Sequence, residues 1–323
     1  VGLSNEAPQP GVSAFTWSSQ SKASAPAAER ADAGEQPSAQ PASDRAHFGQ
    51  ADGWRASLEL SFDRRADKTV LARSRHFGPL RVQRPFYPER NGTCHVYVLH
   101  PPGGVASGDQ LRVELALEAD ACALLTTPGA TKLYRSRGAE AHIVQRMSLA
   151  EGACLEWLPQ ETIVFDGAEA SLETQIDLAP GAVYAGWEIV CLGRPACGES
   201  FERGRLRSAL RLRRGGRLRY AERGDYLGGG PVLSQPWGLG GAPVFGLFVL
   251  ADERADESWV ERVREQVQCQ AGNFAVTLMS GLLLGRYLGS STLDARASFE
   301  SMFGVLRPLY TSGTAITPRI WRT

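Results

Sequence analysis

The sequence predicts a mainly β protein: stacked, solenoid-like sheets followed by two helices near the C-terminus. Three observations carry that prediction. First, 35 Gly and 19 Pro in 323 residues favour turns and short strands over long helices. Second, short runs alternate apolar and polar residues, as in Leu58, Leu60 and Phe62 against Glu59 and Ser61, which suits a half-buried strand. Third, the centre carries an internal repeat. Leu117-Glu-Ala-Asp120-Ala-Cys122 aligns with Leu149-Ala-Glu-Gly152-Ala-Cys154 and with Leu178-Ala-Pro-Gly181-Ala-Val183, and more loosely with Leu212-Arg-Arg-Gly215-Gly-Arg217. A strand, a tight turn and a new strand recurring about every 30 residues describe stacked repeat units, although meandering β proteins also reuse Gly turns.

Bulk properties narrow the function classes. Hydrophobic content of 43% is enough for a substantial core. Positive and negative charges cancel, 35 against 35, so nothing global points to nucleic acid or an anionic membrane. No run of 18 apolar residues exists, and no membrane span is expected. Six cysteines in a chain this long are not a disulfide framework, and their spacing fits no zinc motif. Cys122 and Cys154 occupy equivalent repeat positions and read as small core residues. His95 and His100 flank one strand with opposite parity, which argues against a two-histidine metal site there.

Residues 1–50 are rich in Ala, Ser, Pro, Gln and Gly. They bury too little apolar surface to offset chain entropy and are expected to be a disordered extension. They contain neither the apolar run of a secretory signal nor the acid-poor composition of a transit peptide. Order is expected from Trp54. A strand over Leu58, Leu60 and Phe62 turns through residues 63–68 and returns from Thr69 to form a hairpin. A short strand follows Leu80, an extended segment runs through Pro85 and Pro88, and a strand covers residues 94–99. Residues 126–136 hold three Thr, a Pro-Gly turn, Lys132 and Arg135. No Gly-Lys-Ser/Thr triplet follows, so this is a surface turn whose cations are available to nearby acids. Gly228-Gly229-Gly230 lacks a strand–helix context and is weak as a phosphate loop.

Arg205, Arg207, Arg211 and Arg213 share one parity of a strand, and Leu206, Leu210 and Leu212 share the other. The strand turns at Gly215-Gly216 and returns. No aromatics interleave with the arginines, so a solvated face or an acidic protein partner is preferred to nucleic acid. Residues 257–271 form an expected helix with Val260, Val263 and Val267 inward and Gly272 as a stop. Residues 274–279 and 282–288 read as strands. Ser291 opens a second helix with Phe299, Met302, Phe303 and Leu306 on its apolar face, ended by Pro308. Ile320 and Trp321 are expected to dock.

The stretch with the most chemistry is residues 155–167, LEWLPQETIVFDG. Glu156, Glu161 and Asp166, with Glu169 just beyond, lie among Trp157, Leu158, Ile163, Val164 and Phe165. Pro159 divides it into two short strands. A carboxylate is costly to bury unless a hydrogen-bond network, an Arg or Lys, or a cation in transit compensates it. An ordinary strand–turn–strand with solvated acids is the plain alternative.

Several motifs together resemble one family. HPPGGVASGD, TTPGATKLYRS, LEWLPQETIVFDG, the segment from Trp187-Glu188 through Leu192-Gly-Arg-Pro-Ala-Cys-Gly-Glu199-Ser-Phe to Gly204, and the closing PRIW look like the urease accessory protein UreD family, also called UreH. The resemblance covers about residues 54–323, which makes residues 51–323 a single UreD-like β domain. It departs at Ser107-Gly108-Asp109, where Gly-Gly-Asp is expected, and at residues 311–317. The resemblance implies a right-handed, β-helix-like stack and no enzyme activity. It implies a cytoplasmic scaffold that binds apo-urease on one side and UreF on the other, with the GTPase UreG docked through UreF. It also implies nickel in transit and no tightly bound cofactor. On that reading Asp109, Glu161, Asp166, Glu188 and Glu199 are candidates along a nickel route, because single oxygen ligands hold nickel more weakly than thiolate or imidazole clusters. The alternative is a carbohydrate-active β-solenoid enzyme using Glu156 or Glu161 with Asp166 as an acid–base pair. A structural adaptor with no passage is a third reading.

Overall fold

The computed structural model describes residues 53–311, 313 and 315–322. The extension expected over residues 1–50 lies outside the described residues. Strands dominate. In chain order they are β1 (Arg55–Arg65), β2 (Lys68–Phe77), β3 (Arg81–Val82), β4 (Cys94–Leu99), β5 (Gln110–Leu117), β6 (Cys122–Thr126), β7 (Thr131–Leu133), β8 (Ala141–Leu149), β9 (Cys154–Trp157), β10 (Thr162–Val164), β11 (Glu169–Leu178), β12 (Val183–Leu192), β13 (Arg205–Arg214), β14 (Arg217–Leu227), β15 (Val244–Ala251), β16 (Asn273–Met279) and β17 (Leu282–Gly289). The helices are α1 (Pro231–Ser234), α2 (Glu257–Gln266) and α3 (Thr292–Tyr310).

The strands build two sheets. One has seven strands in the order β14-β13-β11-β8-β5-β1-β2. Its middle, from β13 to β1, is parallel throughout, and each end is closed by an antiparallel hairpin partner. The other runs β16-β17-β15-β12-β9-β6-β4-β3, again with a parallel middle, β12 to β4, between antiparallel ends. The short β7 and β10 pair in parallel with each other, and β10 with the end of β12.

The repeat explains this geometry. Each coil runs up the first sheet, turns, and comes down the second. Leu117, Leu149 and Leu178 stand in direct register at the ends of β5, β8 and β11. Cys122, Cys154 and Val183 stand in register at the starts of β6, β9 and β12. The looser fourth copy departs. Leu212 pairs with Ile176 rather than Leu178, and the chain turns straight back from β13 into β14. Gly215 and Gly216 both take positive φ, 55° and 75°, which makes a two-residue hairpin turn in place of a crossing to the second sheet.

Alternate side chains of each strand fill two cores. Between the sheets lie Leu58, Leu60, Leu115, Leu149, Leu155, Trp157, Ile176 and Leu206, among others. The opposite face of the second sheet packs against α2 and α3 through Trp187, Phe248, Leu283, Val260, Val263, Phe299, Met302 and Phe303. Trp187 centres this layer, with the rings of Phe248, Phe299, Phe303 and Trp321 around it and its indole N–H donated to the Pro159 carbonyl at 2.7 Å. Trp321 docks as expected, donating its own N–H to Thr126 Oγ1. The helix layer approaches closely because Gly246 and Gly285 face it. A Cβ at Gly246 would meet Phe299 at 2.8 Å, and one at Gly285 would meet Met302 at 2.5 Å.

Three expectations differ in detail. The first long helix ends at Gln266 rather than near Ala271, and the chain extends from Val267 towards β16. The second helix begins at the Ser291 cap, whose hydroxyl accepts from the Asp294 N–H, but runs past Pro308 to Tyr310. Its last turn is held by the buried side chains of Arg307 and Tyr310, which outweigh the hydrogen bond that proline removes. Gly228-Gly229-Gly230 does lie between a strand and a helix, β14 and α1. Pro231 pre-sets the first helical φ, but α1 is a single turn. Leu149→Ala, which empties one rung of the leucine ladder, should cost about 2–5 kcal/mol of unfolding free energy, measured by urea titration.

Candidate functional site

The acidic stretch folds as the two short strands β9 and β10, and α3 reaches across to it. Glu156 points into the helix-side layer and is 1% exposed. Arg307, fully buried, donates to Glu156 Oε1 at 2.6 Å and to both carboxylate oxygens of Glu89 at 2.8 Å. Tyr310 Oη adds a bond to Glu156 at 3.0 Å, and His95 Nε2 lies 2.6 Å from Glu89. Burial works against the Arg307 charge, but Glu156 and Glu89 more than offset it and hold the guanidinium firmly protonated. Complete burial pushes Glu156 up, with Arg307 opposing. About three turns earlier on the same side of the helix, Arg296 of α3 pairs with Glu161.

Three other acids from the sequence reading also have partners. Asp166 sits at the end of β10 and accepts from the backbone N–H of Glu202 and Arg203 and from the guanidinium of Arg203, at 2.6–3.1 Å. Arg135 reaches it at 3.3 Å. Burial raises the Asp166 carboxyl, but Arg203 outweighs this and brings it below the usual range. Glu199 pairs with Arg194 and accepts from the Asp166 N–H, and Arg194 holds its pKa down. Asp109 closes its own loop, accepting from the N–H groups of Trp54 and Ala106 at 2.7 Å. In all three the carboxylate ties one chain segment to another.

Glu188 is different. It lies on β12 with its parity towards the space between the sheets. Its bond is to Thr174 Oγ1 on β11, which donates at 2.5 Å, and among the described residues it forms no ion pair. Burial pushes its pKa up, and Thr174 only partly offsets this. Glu188 and Val190 line two half-open cavities at once. One, of about 300 Å³, extends through His100, Gln145, Trp157 and Thr162. The other, of about 320 Å³, extends through Ser208, Tyr226 and Leu247 to Glu222 and Arg286. Gln145 is in register with Thr174 on the neighbouring strand. Gln145 Oε1 and Trp157 Nε1 are buried without a protein partner. Buried polar atoms of this kind are where interior water binds. The result is a polar line, Gln145, Thr174 and Glu188, between the two sheets. Its first two members each lie four residues before a repeat leucine, Leu149 and Leu178, so aligned repeats would have shown two polar residues at an inward position.

The arginine face is as expected in direction but not bare. Arg205 pairs with Asp225, Arg207 with Glu140, Arg211 with Glu173 and Arg213 with Asp177. The outer face of the seven-stranded sheet therefore presents matched charges. The acid–base pair of the alternative reading is also tied up: Glu156, Glu161 and Asp166 are each engaged by arginine. Among the described residues no group of three or more His, Cys, Asp or Glu side chains is placed to hold a metal ion, and no helix is long and apolar enough to cross a membrane.

Arg307→Met should destabilise the fold by about 3–5 kcal/mol, because it strands two buried carboxylates. Arg296→Met should cost less, since that pair touches solvent. Adding Glu89→Gln and Glu156→Gln to Arg307→Met should recover much of the loss. Urea unfolding of the four proteins checks the order.

A family model described as UreD urease accessory protein matches residues 55–322. Among curated proteins, the urease accessory protein UreD of Azoarcus sp. (strain BH72) is 47% identical over 271 residues, covering 84% of this chain and 95% of the relative. That of Dechloromonas aromatica (strain RCB) is 45% identical over 273 residues, with the same coverage. UreD 2 of Brucella anthropi is 44% identical over 272 residues and is covered over 99% of its length. These matches span the sheets, the interior polar line and both long helices, and the chain belongs to the UreD family of urease accessory proteins.

Proposed function

We propose that the chain is a non-catalytic scaffold in urease maturation. In this reading it binds apo-urease and UreF in the cytoplasm, engages UreG through UreF, and passes nickel along the space between its two sheets. The observation that carries the passage is Glu188, a carboxylate that borders both cavities and has no cationic partner among the described residues. A hydrated divalent ion entering low-dielectric surroundings needs nearby negative charge. Glu188 supplies it. Because burial favours its protonated form, the arriving cation displaces a proton, and the proton returns when the ion moves on. One oxygen ligand among Gln145, Thr174 and water-sized space holds nickel weakly enough to release it. Asp109, Glu161, Asp166 and Glu199 serve this role less directly, because each already fixes the fold around the route.

Glu188→Gln separates the passage from the adaptor reading. It should leave co-elution with apo-urease and UreF unchanged, and lower nickel per active site and urease activity several-fold in activation with purified components. Normal activation by the assembled variant would remove Glu188 from the route. The same change should raise stability. A carboxyl whose folded pKa lies above its unfolded value costs stability once pH rises past the ordinary value of 4.5. The Gln variant should therefore gain on the wild type from about that pH upward in thermal melts.

The matched charges on the outer sheet face favour a protein partner over nucleic acid. Arg207→Glu with Arg211→Glu places like charges beside Glu140 and Glu173. Complex formation should weaken, most at low salt, where charge pairing is least screened. Equal affinity at all salt concentrations would clear this face of a role.

A further inference from the structure

Cys122 and Cys154 have no part in the passage. They are the first residues of β6 and β9 and stand directly opposite each other in the parallel register. Directly paired residues on adjacent strands lie about 4.8 Å apart, inside the Cα separation a disulfide spans. Both face the helix side of the second sheet, and both line a cavity of about 650 Å³ with Asp120, Arg254, Arg307 and Tyr310. Cys122 is half-buried there and Cys154 buried. Among the described residues, no other two cysteines are in register on adjacent strands. In the next coil Val183 takes the equivalent place, so the pair is closed at two.

We propose that Cys122 and Cys154 are a redox-active thiol pair, oxidised reversibly to a disulfide by exchange with a small-molecule disulfide, Cys122 attacking and Cys154 resolving. The Cys122 thiolate attacks one sulfur of the small disulfide. One thiolate leaves, and a mixed disulfide forms on Cys122. Cys154 then loses its proton and attacks the Cys122 sulfur, expelling the second small thiol. The protein gives up two electrons and two protons, and the small disulfide becomes two thiols.

The electrostatics set this order. Cys122 Sγ donates to the Asp120 carbonyl at 3.8 Å, and contact with the Cys154 thiol, with help from Arg64, lowers the Cys122 pKa and favours its thiolate. The same contact and burial push Cys154 well up. The more accessible sulfur is thus also the better initiator. A metal site fits less well, because no third ligand of the usual kinds joins the two sulfurs among the described residues. Cys154 shares its core with Tyr310, so the bridge would form beneath the last turn of α3.

The test uses the full chain carrying Cys197→Ser, which removes the exposed thiol. The protein is incubated with glutathione disulfide, alkylated, digested and analysed by mass spectrometry. The expected result is a Cys122–Cys154 linked peptide, lost on adding dithiothreitol. In Cys154→Ser, and in Cys154→Ala as a second variant, a glutathione adduct should instead persist on Cys122. In Cys122→Ser, alkylation of Cys154 should be unchanged by the oxidant. Recovery of both cysteines alkylated as free thiols, a Cys122 adduct that persists although Cys154 is present, or a bridge from either residue to another cysteine overturns the proposal.

Discussion

The helix layer depends on one buried cation. Arg307 joins three separate parts of the chain: α3, which carries it; β9, through Glu156; and the segment before β4, through Glu89, which His95 also holds. Replacing a buried ion pair by apolar groups is often neutral, so such a cluster contributes little net stability. What it contributes here is position. With Arg307 fixed, the inward residues of α3 fall at one height on the sheet, where Phe299 and Met302 lie over Gly246 and Gly285 and the aromatic rings close on Trp187. A shift of one turn along α3 would break the charge pairing and drive side chains into backbone.

The two sides of the second sheet treat carboxylates in opposite ways. On the helix side and at the corners, every acid of the 155–167 stretch is answered by an arginine. Between the sheets, Glu222 pairs with Arg286, but Glu188 has, among the described residues, a threonine hydroxyl as its sole partner. Both lie in the same fold, on strands two coils or fewer apart. The difference is what makes Glu188, rather than the denser acidic stretch, the place where charge is available to something that moves.

Much of this was legible in the sequence, because the signals were local. Alternation marked β1, and the leucine and cysteine ladders marked three coils and their register. The Ser291 cap marked the start of α3. What stayed hidden was set by residues far apart in the chain. Arg296 and Arg307 lie 135 and 151 residues from the acids they pair with, and nothing near Glu161 or Glu156 announces them. The polar line was present in the repeat but is visible only when aligned copies are read for what is unlike their neighbours. The fourth copy misled because Gly-Gly suits either a coil corner or a hairpin, and its register of two residues decides between them.

The antiparallel strands at both ends of both sheets have one further consequence. A stack of parallel coils has no intrinsic length. Its last coil offers the next one the same row of backbone groups that every earlier coil used, and a second molecule meets that description as well as a further repeat does. Here each end strand runs against the direction of the stack, as β2 and β14 do on the first sheet and β3 and β16 do on the second. An incoming parallel coil finds reversed polarity on either side. Continuation of the stack by a further parallel coil is thereby interrupted at both ends, and the span of its interior is fixed by how many coils lie between the two terminators.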